Sequence, residues 1–257
     1  MKILILGAGK MGSFFTDLLS FEHEVAVLDS DLKRMRFIYN ALRFENPEQI
    51  REFAPDLVIN SVTLNYTIEA FKNVLPYLPS KCILSDIASV KTNFLEFYKE
   101  TNLPFVSTHP MFGPTFANLG SLDKENTIII SEGDHLGKVF FKDLYSRLKL
   151  NIFEYSFEEH DKVMAFSLGI PFAATMVFAA TMQHQDAPGT TFKRHMRIAR
   201  GVLSEDDYLL TEILFNPRTP MQIENIQAEL TMMLDIIKRK DTSSMKEYLG
   251  KLRKKIE

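Results

Sequence analysis

Two rhythms of apolar and polar residues divide this chain. In the first, short apolar runs recur between longer amphipathic stretches. These runs are Ile3-Leu4-Ile5-Leu6, Val25-Ala26-Val27-Leu28, Asp56-Leu57-Val58-Ile59-Asn60 (a fourth-strand candidate), Cys82-Ile83-Leu84, Phe105-Val106-Ser107, Thr127-Ile128-Ile129-Ile130 and Ile152-Phe153-Glu154. Continuous apolar runs of this length suit strands covered on both faces. Between them the pattern predicts helices over 13–19, 32–42 (with Asp31 to cap it), 47–53, 66–78, 90–100 and 135–148, while 116–124 reads as a surface loop. Strand–helix units repeated at this spacing imply a parallel sheet with right-handed crossovers.

Beyond Ser156 the second rhythm takes over and the strands stop. Residues 157–184 form a long apolar stretch rich in Ala, Met and Phe, with Pro171 placed to kink a helix. Further helices are predicted over 191–203, 204–215, 217–240 and from 242 to the C-terminus. The expected architecture is an α/β domain over 1–155 followed by an all-α domain over 156–257. So apolar a helical segment often completes its burial against a second subunit.

The first strand runs directly into Gly7-Ala8-Gly9-Lys10-Met11-Gly12, a G-x-G-x-x-G that closes a strand and opens a helix. The first glycine permits a tight turn, the second lets backbone approach a pyrophosphate, and the third allows close helix–strand packing. An anion then sits on free N–H groups at the helix N-terminus. Asp29, at the end of the second apolar run, is placed to accept hydrogen bonds from ribose hydroxyls and to repel a 2′-phosphate, which favours NAD over NADP. Lys33 and Arg34, just downstream, would suit the phosphorylated cofactor instead. The glycine segment in this context predicts a Rossmann-type, mostly parallel sheet.

Ligands of such sheets bind outside the carboxyl ends of the strands. That rule selects Gly7 to Gly12, Asp29, Ser61-Val62-Thr63, 85–91 and 108–114. The cofactor residues are thus Gly7, Ala8, Gly9, Lys10, Met11, Gly12, Asp29 and Ser61. The last segment holds His109, a histidine where an apolar strand ends. In the helical half, Lys193, Arg194, Arg197 and Arg200 form a basic stripe with no acid among them. It is read equally as a solvated face or as a carboxylate-binding fork.

Composition narrows the function classes. Of 257 residues, 46% are hydrophobic and 25% charged, as in ordinary globular enzymes. A formal net charge of −3 provides no basic field for nucleic acid or an anionic membrane. The lone Cys82 excludes an intrachain disulfide and reads as a buried thiol. No apolar run is read as reaching the ~18 residues of a membrane span, and the N-terminal run is too short for a signal peptide. The expected location is the cytoplasm, and no metal is called for.

Taken together, several blocks carry a resemblance: the glycine segment, Ser85-Asp86-Ile87-Ala88-Ser89-Val90-Lys91, His109-Pro110-Met111-Phe112-Gly113-Pro114, His160-Asp161 with Met164-Ala165, and Phe192-Lys193 with Arg197-Ile198-Ala199-Arg200. The chain resembles the prephenate dehydrogenase family, which includes arogenate and cyclohexadienyl dehydrogenases. The resemblance implies NAD-dependent oxidative decarboxylation of prephenate to 4-hydroxyphenylpyruvate, a step towards tyrosine. It implies that His109 polarises the ring hydroxyl, that Ser89 bonds the same hydroxyl and orients the histidine, and that Arg197, or Arg200 in a shifted register, binds a carboxylate of the dicarboxylate substrate. It also implies a homodimer formed through the helical domain. An extent of 257 residues leaves the regulatory and mutase domains of some relatives unexpected here.

The chain departs from the family pattern at Phe172, where many relatives carry a second active-site histidine. Prephenate and arogenate differ only in a keto or amino side chain, and this departure leaves both open. Two other readings stand beside this one. A β-hydroxyacid-type dehydrogenase would use Lys162, but the glycine-rich motif that precedes such sites is missing. A catalytically silent NAD-binding sensor of the same fold is the non-enzymatic alternative.

Overall fold

A computed structural model of the chain describes residues 1–91, 93–112 and 122–256. Among these, eight strands form one sheet: β1 (Lys2–Leu6), β2 (Glu24–Leu28), β3 (Leu42–Phe44), β4 (Leu57–Asn60), β5 (Ile83–Asp86), β6 (Phe105–Pro110), β7 (Asn126–Ile130) and β8 (Asn151–Tyr155). Their spatial order is β3-β2-β1-β4-β5-β6-β7-β8. The first six pair in parallel, β7 runs antiparallel to β6, and β8 is parallel to β7. The order reverses between β1 and β4, which makes the ends of those strands the switch point where open α/β sheets hold ligands.

Helices α1 (Lys10–Leu19), α2 (Gln49–Phe53), α3 (Thr67–Val74), α4 (Phe94–Thr101) and α5 (His135–Arg147) connect the strands. Alternate strand residues serve two layers. Ile3, Ile5, Val27, Ile59 and Val106 pack with Phe15 and Leu19 of α1 and with Phe141, Leu144 and Tyr145 of α5. A second aromatic layer joins Phe71 of α3 to Phe97 and Tyr98 of α4, and Tyr98 stacks on Phe105 of β6 at 4.3 Å between centroids. Cys82 is buried just before β5, where desolvation first and the charge of Asp56 second push its thiol up to about 12.

The structure revises several expected elements. The helix over 32–42 is only a 3-10 turn, Leu32–Phe37, with the Asp31 carboxylate accepting the Lys33 N–H; the chain then gives the edge strand β3. That strand has three residues with Arg43 at its centre, so it carries no apolar run. The helix over 90–100 starts only at Phe94, because Asp86 and Lys91 are held in a turn after β5. Strand β6 continues three residues past Ser107, so His109 lies within a strand, opposite Ile128 of β7.

The chain divides into two compact units, Met1–Asp161 and Lys162–Glu257. Helix α6 (Phe157–Met164) is followed by a π-helical turn, Ala165–Gly169, and by α7 (Ile170–Thr181). Pro171 lacks the N–H that the helical ladder would use, and the irregular turn precedes it rather than a simple kink. Helices α8 (Thr190–Val202), α9 (Asp207–Leu214), α10 (Thr219–Arg239) and α11 (Thr242–Ile256) complete the second unit. Within the helical segment Phe157–Thr181, an 18-residue window reaches a mean hydropathy of 1.9 with 17% of its residues buried, so by length and composition the segment is long enough to cross a membrane. This corrects the expectation that no apolar run reaches that length: 163–181 carries no charge.

Candidate active site

At the switch point, the glycine segment is shaped by its own sterics. Gly7 has a φ of +92°, which L side chains rarely adopt, and a Cβ there would press on Val62. A Cβ on Gly12 would stand 1.8 Å from the Gly7 carbonyl oxygen and 2.6 Å from the Ser61 hydroxyl. Gly9, by contrast, would meet nothing within 4 Å. It is the N-cap of α1, in extended conformation, and no side chain caps that helix start. A turn closed beneath and open above, at a helix N-terminus, fits the pyrophosphate of a dinucleotide.

Two polar side chains hold this turn. Asp29 accepts the Ala8 N–H at 2.7 Å and the Asp31 N–H at 2.8 Å, one on each oxygen. A carboxylate has lone pairs left for a ribose hydroxyl after two such bonds. Ser61 donates to the Leu6 carbonyl at 2.7 Å, with the Gly7 carbonyl at 3.1 Å, tying the ends of β1 and β4 together. Its position under Gly12 supports the nucleotide turn from below.

The second cluster lies at the ends of β5 and β6. Asp86 and Lys91 form an ion pair with both side chains 0% exposed. The Lys91 ammonium also donates to the Thr108 carbonyl at 2.7 Å, and the Tyr98 hydroxyl donates to Asp86 at 2.7 Å. The Ala88 N–H adds a further bond to the carboxylate. Burial pulls the Lys91 ammonium below its ordinary value, against Asp86, which favours the charged form. Removing one partner of such a pair leaves an uncompensated buried charge and costs about 3–5 kcal/mol. The motif spanning 85–91 is therefore a brace that fixes the strand just before His109.

His109 is 6% exposed, and its Nδ1 stands 3.1 Å from Nε2 of His160. Burial first, then the neighbouring His160 and Lys91, hold the His109 imidazole well below the ordinary histidine value. It is neutral at pH 7. His160 is 0% exposed and is likewise lowered by burial, with the bond to Asp161 acting the other way. Its Nδ1 lies 3.4 Å from the Asp161 carboxylate.

The sequence places His160 by fixing where α6 starts. Ser156 and Glu159 form a reciprocal capping box: the Glu159 N–H donates to the Ser156 hydroxyl at 3.1 Å, and the Ser156 N–H donates to the Glu159 carboxylate at 2.8 Å. The Phe157 N–H donates to Glu132 at 3.1 Å, beyond the end of β7, and the Phe157 ring lies 6.3 Å from Phe105 of β6.

Ser89 sits half-buried in the turn after β5, whereas Nδ1 of His109 meets His160. Gly113 and Pro114 lie outside the described residues. In the second unit, Arg197 and Arg200 of α8 are exposed and line a cavity of about 380 Å³ together with Lys193, Phe192, Met196 and His184. Helical geometry thus groups Lys193, Arg197 and Arg200, at i, i+4 and i+7, rather than the three arginines. The His109–His160 contact and the Lys91 brace were not foreseen. An adjacent His-Asp pair and a D-x-x-SVK block were their only marks in the sequence.

Residues 21–150 match the family described as prephenate dehydrogenase, nucleotide-binding domain. A probable arogenate/prephenate dehydrogenase of Methanocaldococcus jannaschii is 25% identical over 93% of this chain and 57% of its own length. The prephenate dehydrogenase of A. aeolicus, solved with hydroxyphenyl propionate and NAD+, superposes with a TM-score of 0.84 at 22% identity, over 99% of this chain and 96% of that one. An arogenate dehydrogenase of Synechocystis superposes with a TM-score of 0.79 at 16% identity, over 99% and 98% of the two chains.

The fold is that of a nucleotide-binding dehydrogenase, an eight-stranded Rossmann-type sheet followed by helices. Within that class, the chain belongs to the prephenate dehydrogenase family. It spans about half the length of the curated relatives it matches, 57% and 46% for two of them.

Proposed function

We propose that the protein is an NAD-dependent dehydrogenase that converts prephenate to 4-hydroxyphenylpyruvate and CO2, a step of tyrosine biosynthesis in the cytoplasm. The observation that carries this reading is the buried, neutral His109 at the carboxyl end of β6, on the same sheet edge as the glycine turn. NAD, held by the Gly7 to Gly12 turn and Asp29, supplies the acceptor for the hydride that leaves ring carbon 4. The chain's own residues handle the rest. A neutral imidazole accepts the proton of the ring hydroxyl while the carbon–oxygen double bond forms. When the ring carboxylate departs as CO2, its bonding pair enters the ring and the oxygen takes the proton back, so the phenol forms with no net proton released.

The choice of prephenate over arogenate rests on charge. Among the described residues, the cavity beside Arg197 and Arg200 is lined by Lys193 and His184 and by no acidic side chain, with Asp186 outside the lining paired to His184 at 3.3 Å. Such a lining favours a dianionic keto acid over a substrate that carries an ammonium group. Phe172, half-buried in α7, adds no polar group for an amine. We assign the exposed apolar stripes of the helical unit to a homodimer interface.

The test mixes purified protein with NAD and either prephenate or arogenate and follows absorbance of the reduced cofactor. Turnover is expected with prephenate and much less with arogenate; no signal with either overturns the enzyme in favour of a nucleotide sensor. His109→Asn is expected to abolish turnover while NAD binding, followed by quenching of reduced-cofactor fluorescence, persists. Retained turnover in that variant would sink the role of His109.

A further inference from the structure

We propose that His160 and Asp161 are positioning residues that lock His109 in its Nδ1–H tautomer, so that Nε2 is the atom offered to the substrate hydroxyl. The proposal rests on His109 being the proton acceptor and adds which nitrogen acts and what fixes it.

The assignment follows from donor and acceptor counting along one line of groups. Asp161 as a carboxylate only accepts, so the nitrogen of His160 facing it at 3.4 Å, Nδ1, carries the hydrogen. A neutral imidazole has one N–H, so Nε2 of His160 is an acceptor. The hydrogen shared across the 3.1 Å contact between the rings therefore belongs to Nδ1 of His109. Nε2 of His109 keeps its lone pair. Without His160 the ring is free to adopt the Nε2–H form, in which Nε2 has no lone pair to take the hydroxyl proton.

The charges around the pair preserve this order. Protonating His160 would turn its Nε2 into a donor and force Nδ1 of His109 to accept, which reverses the tautomer. Burial opposes that protonation, as does the ammonium of Lys91, which acts on both rings; Asp161 and Asp86 act in the opposite sense. As the substrate hydroxyl gives its proton to Nε2, positive charge develops on the His109 ring. The Nδ1–H bond to His160 then strengthens, and the Asp161 carboxylate stabilises the polarised pair. The arrangement resembles a base oriented by a third group. His160 and Asp161 touch neither substrate nor cofactor in this scheme.

The experiment uses full-length protein labelled with 15N-histidine and records long-range 1H–15N correlations of His109 near pH 7.5, with kinetics measured on the same samples. In the unsubstituted protein His109 is expected to show the Nδ1–H pattern. In His160→Leu and Asp161→Leu it is expected to shift towards Nε2–H, with kcat falling by about tenfold or more and KM changing by no more than about twofold. His160→Gln, which retains an acceptor near the lost Nε2, is expected to recover much of kcat. If the fully buried position 160 does not tolerate leucine, Asp161→Leu, on a partly exposed side chain, decides alone. An Nε2–H pattern in the unsubstituted protein overturns the proposal, as do folded variants with unchanged kcat and tautomer. Those results leave the role of His109 standing, whereas an active His109→Asn removes that role itself.

Discussion

At the scale of the residue, His109 and His160 are titratable groups stored in their neutral form. Both are held below the ordinary histidine value of about 6.5 by burial first. The sign of the effect on stability follows. Each ring is neutral when folded but binds a proton below about pH 6.5 when unfolded, so its contribution is complete above that pH and is lost as the pH falls towards the folded value. Urea unfolding should therefore give a lower free energy at pH 5 than at pH 7.5, a window above the titration of ordinary carboxylates. His23 shifts in the same sense, so the diagnostic is a shallower slope in His109→Asn; equal slopes would contradict the assignment. The sequence shows His109 as a strand-end histidine, but its ring partner is 51 positions away. No local pattern encodes a contact made by bringing α6 against β6. Lys91 and Asp86 are legible as a motif, while their mutual burial is a property of the folded layers.

At the scale of the element, the strand–turn–helix at Gly7 to Gly12 was readable because sterics leave few alternatives. Its three glycines are nonetheless unequal, and two substitutions separate them. Gly12→Ala forces a Cβ to within 1.8 Å of a backbone oxygen, and we expect it to cost about 3 kcal/mol or more. Gly9→Ala has open space and should cost less than about 1 kcal/mol, as an N-cap change. It should still weaken NAD binding by about tenfold or more, ~1.4 kcal/mol, since the methyl group occupies the approach to the turn. Thermal melts and NAD titrations of both variants check this, and equal losses of stability would refute it. Elements with weak local signals were missed. Strand β3 lies at the sheet edge, and the last residues of β6 pair with an antiparallel neighbour supplied by a later segment. Neither leaves a continuous apolar run.

At the scale of the whole molecule, the helical unit leaves a set of apolar side chains exposed. Ile223, Leu230, Leu234 and Ile237 recur along α10 and are all more than a third exposed, and no residue of α7 is fully buried. Stripes of this kind on a monomer mark an interaction surface. A second copy of the chain is the occupant we propose, because the stripes follow helical periodicity and favour helix-on-helix packing. Sedimentation at micromolar concentration should give a dimer, and Leu234→Glu with Ile237→Glu should give a folded monomer. A monomeric unsubstituted protein would exclude the homodimer. The division into sheet and helices was legible from the change of rhythm near Ser156. The membrane-length apolar segment was not, because Gly169 and Pro171 interrupt its apparent continuity.

The capping box at Ser156 has a consequence for how this chain tolerates change in length. Strand β8 ends at Tyr155 and α6 begins at Phe157, so Ser156 alone spans the join. Adding one residue inside α6 ahead of His160 would turn the rest of that helix by about 100° and advance it by about 1.5 Å. Glu159 or another neighbour would then occupy the place of His160. Connections between elements ordinarily absorb insertions and deletions. The first turn of α6 instead acts as a ruler: the number of residues between the Ser156 cap and His160 determines which side chain meets His109.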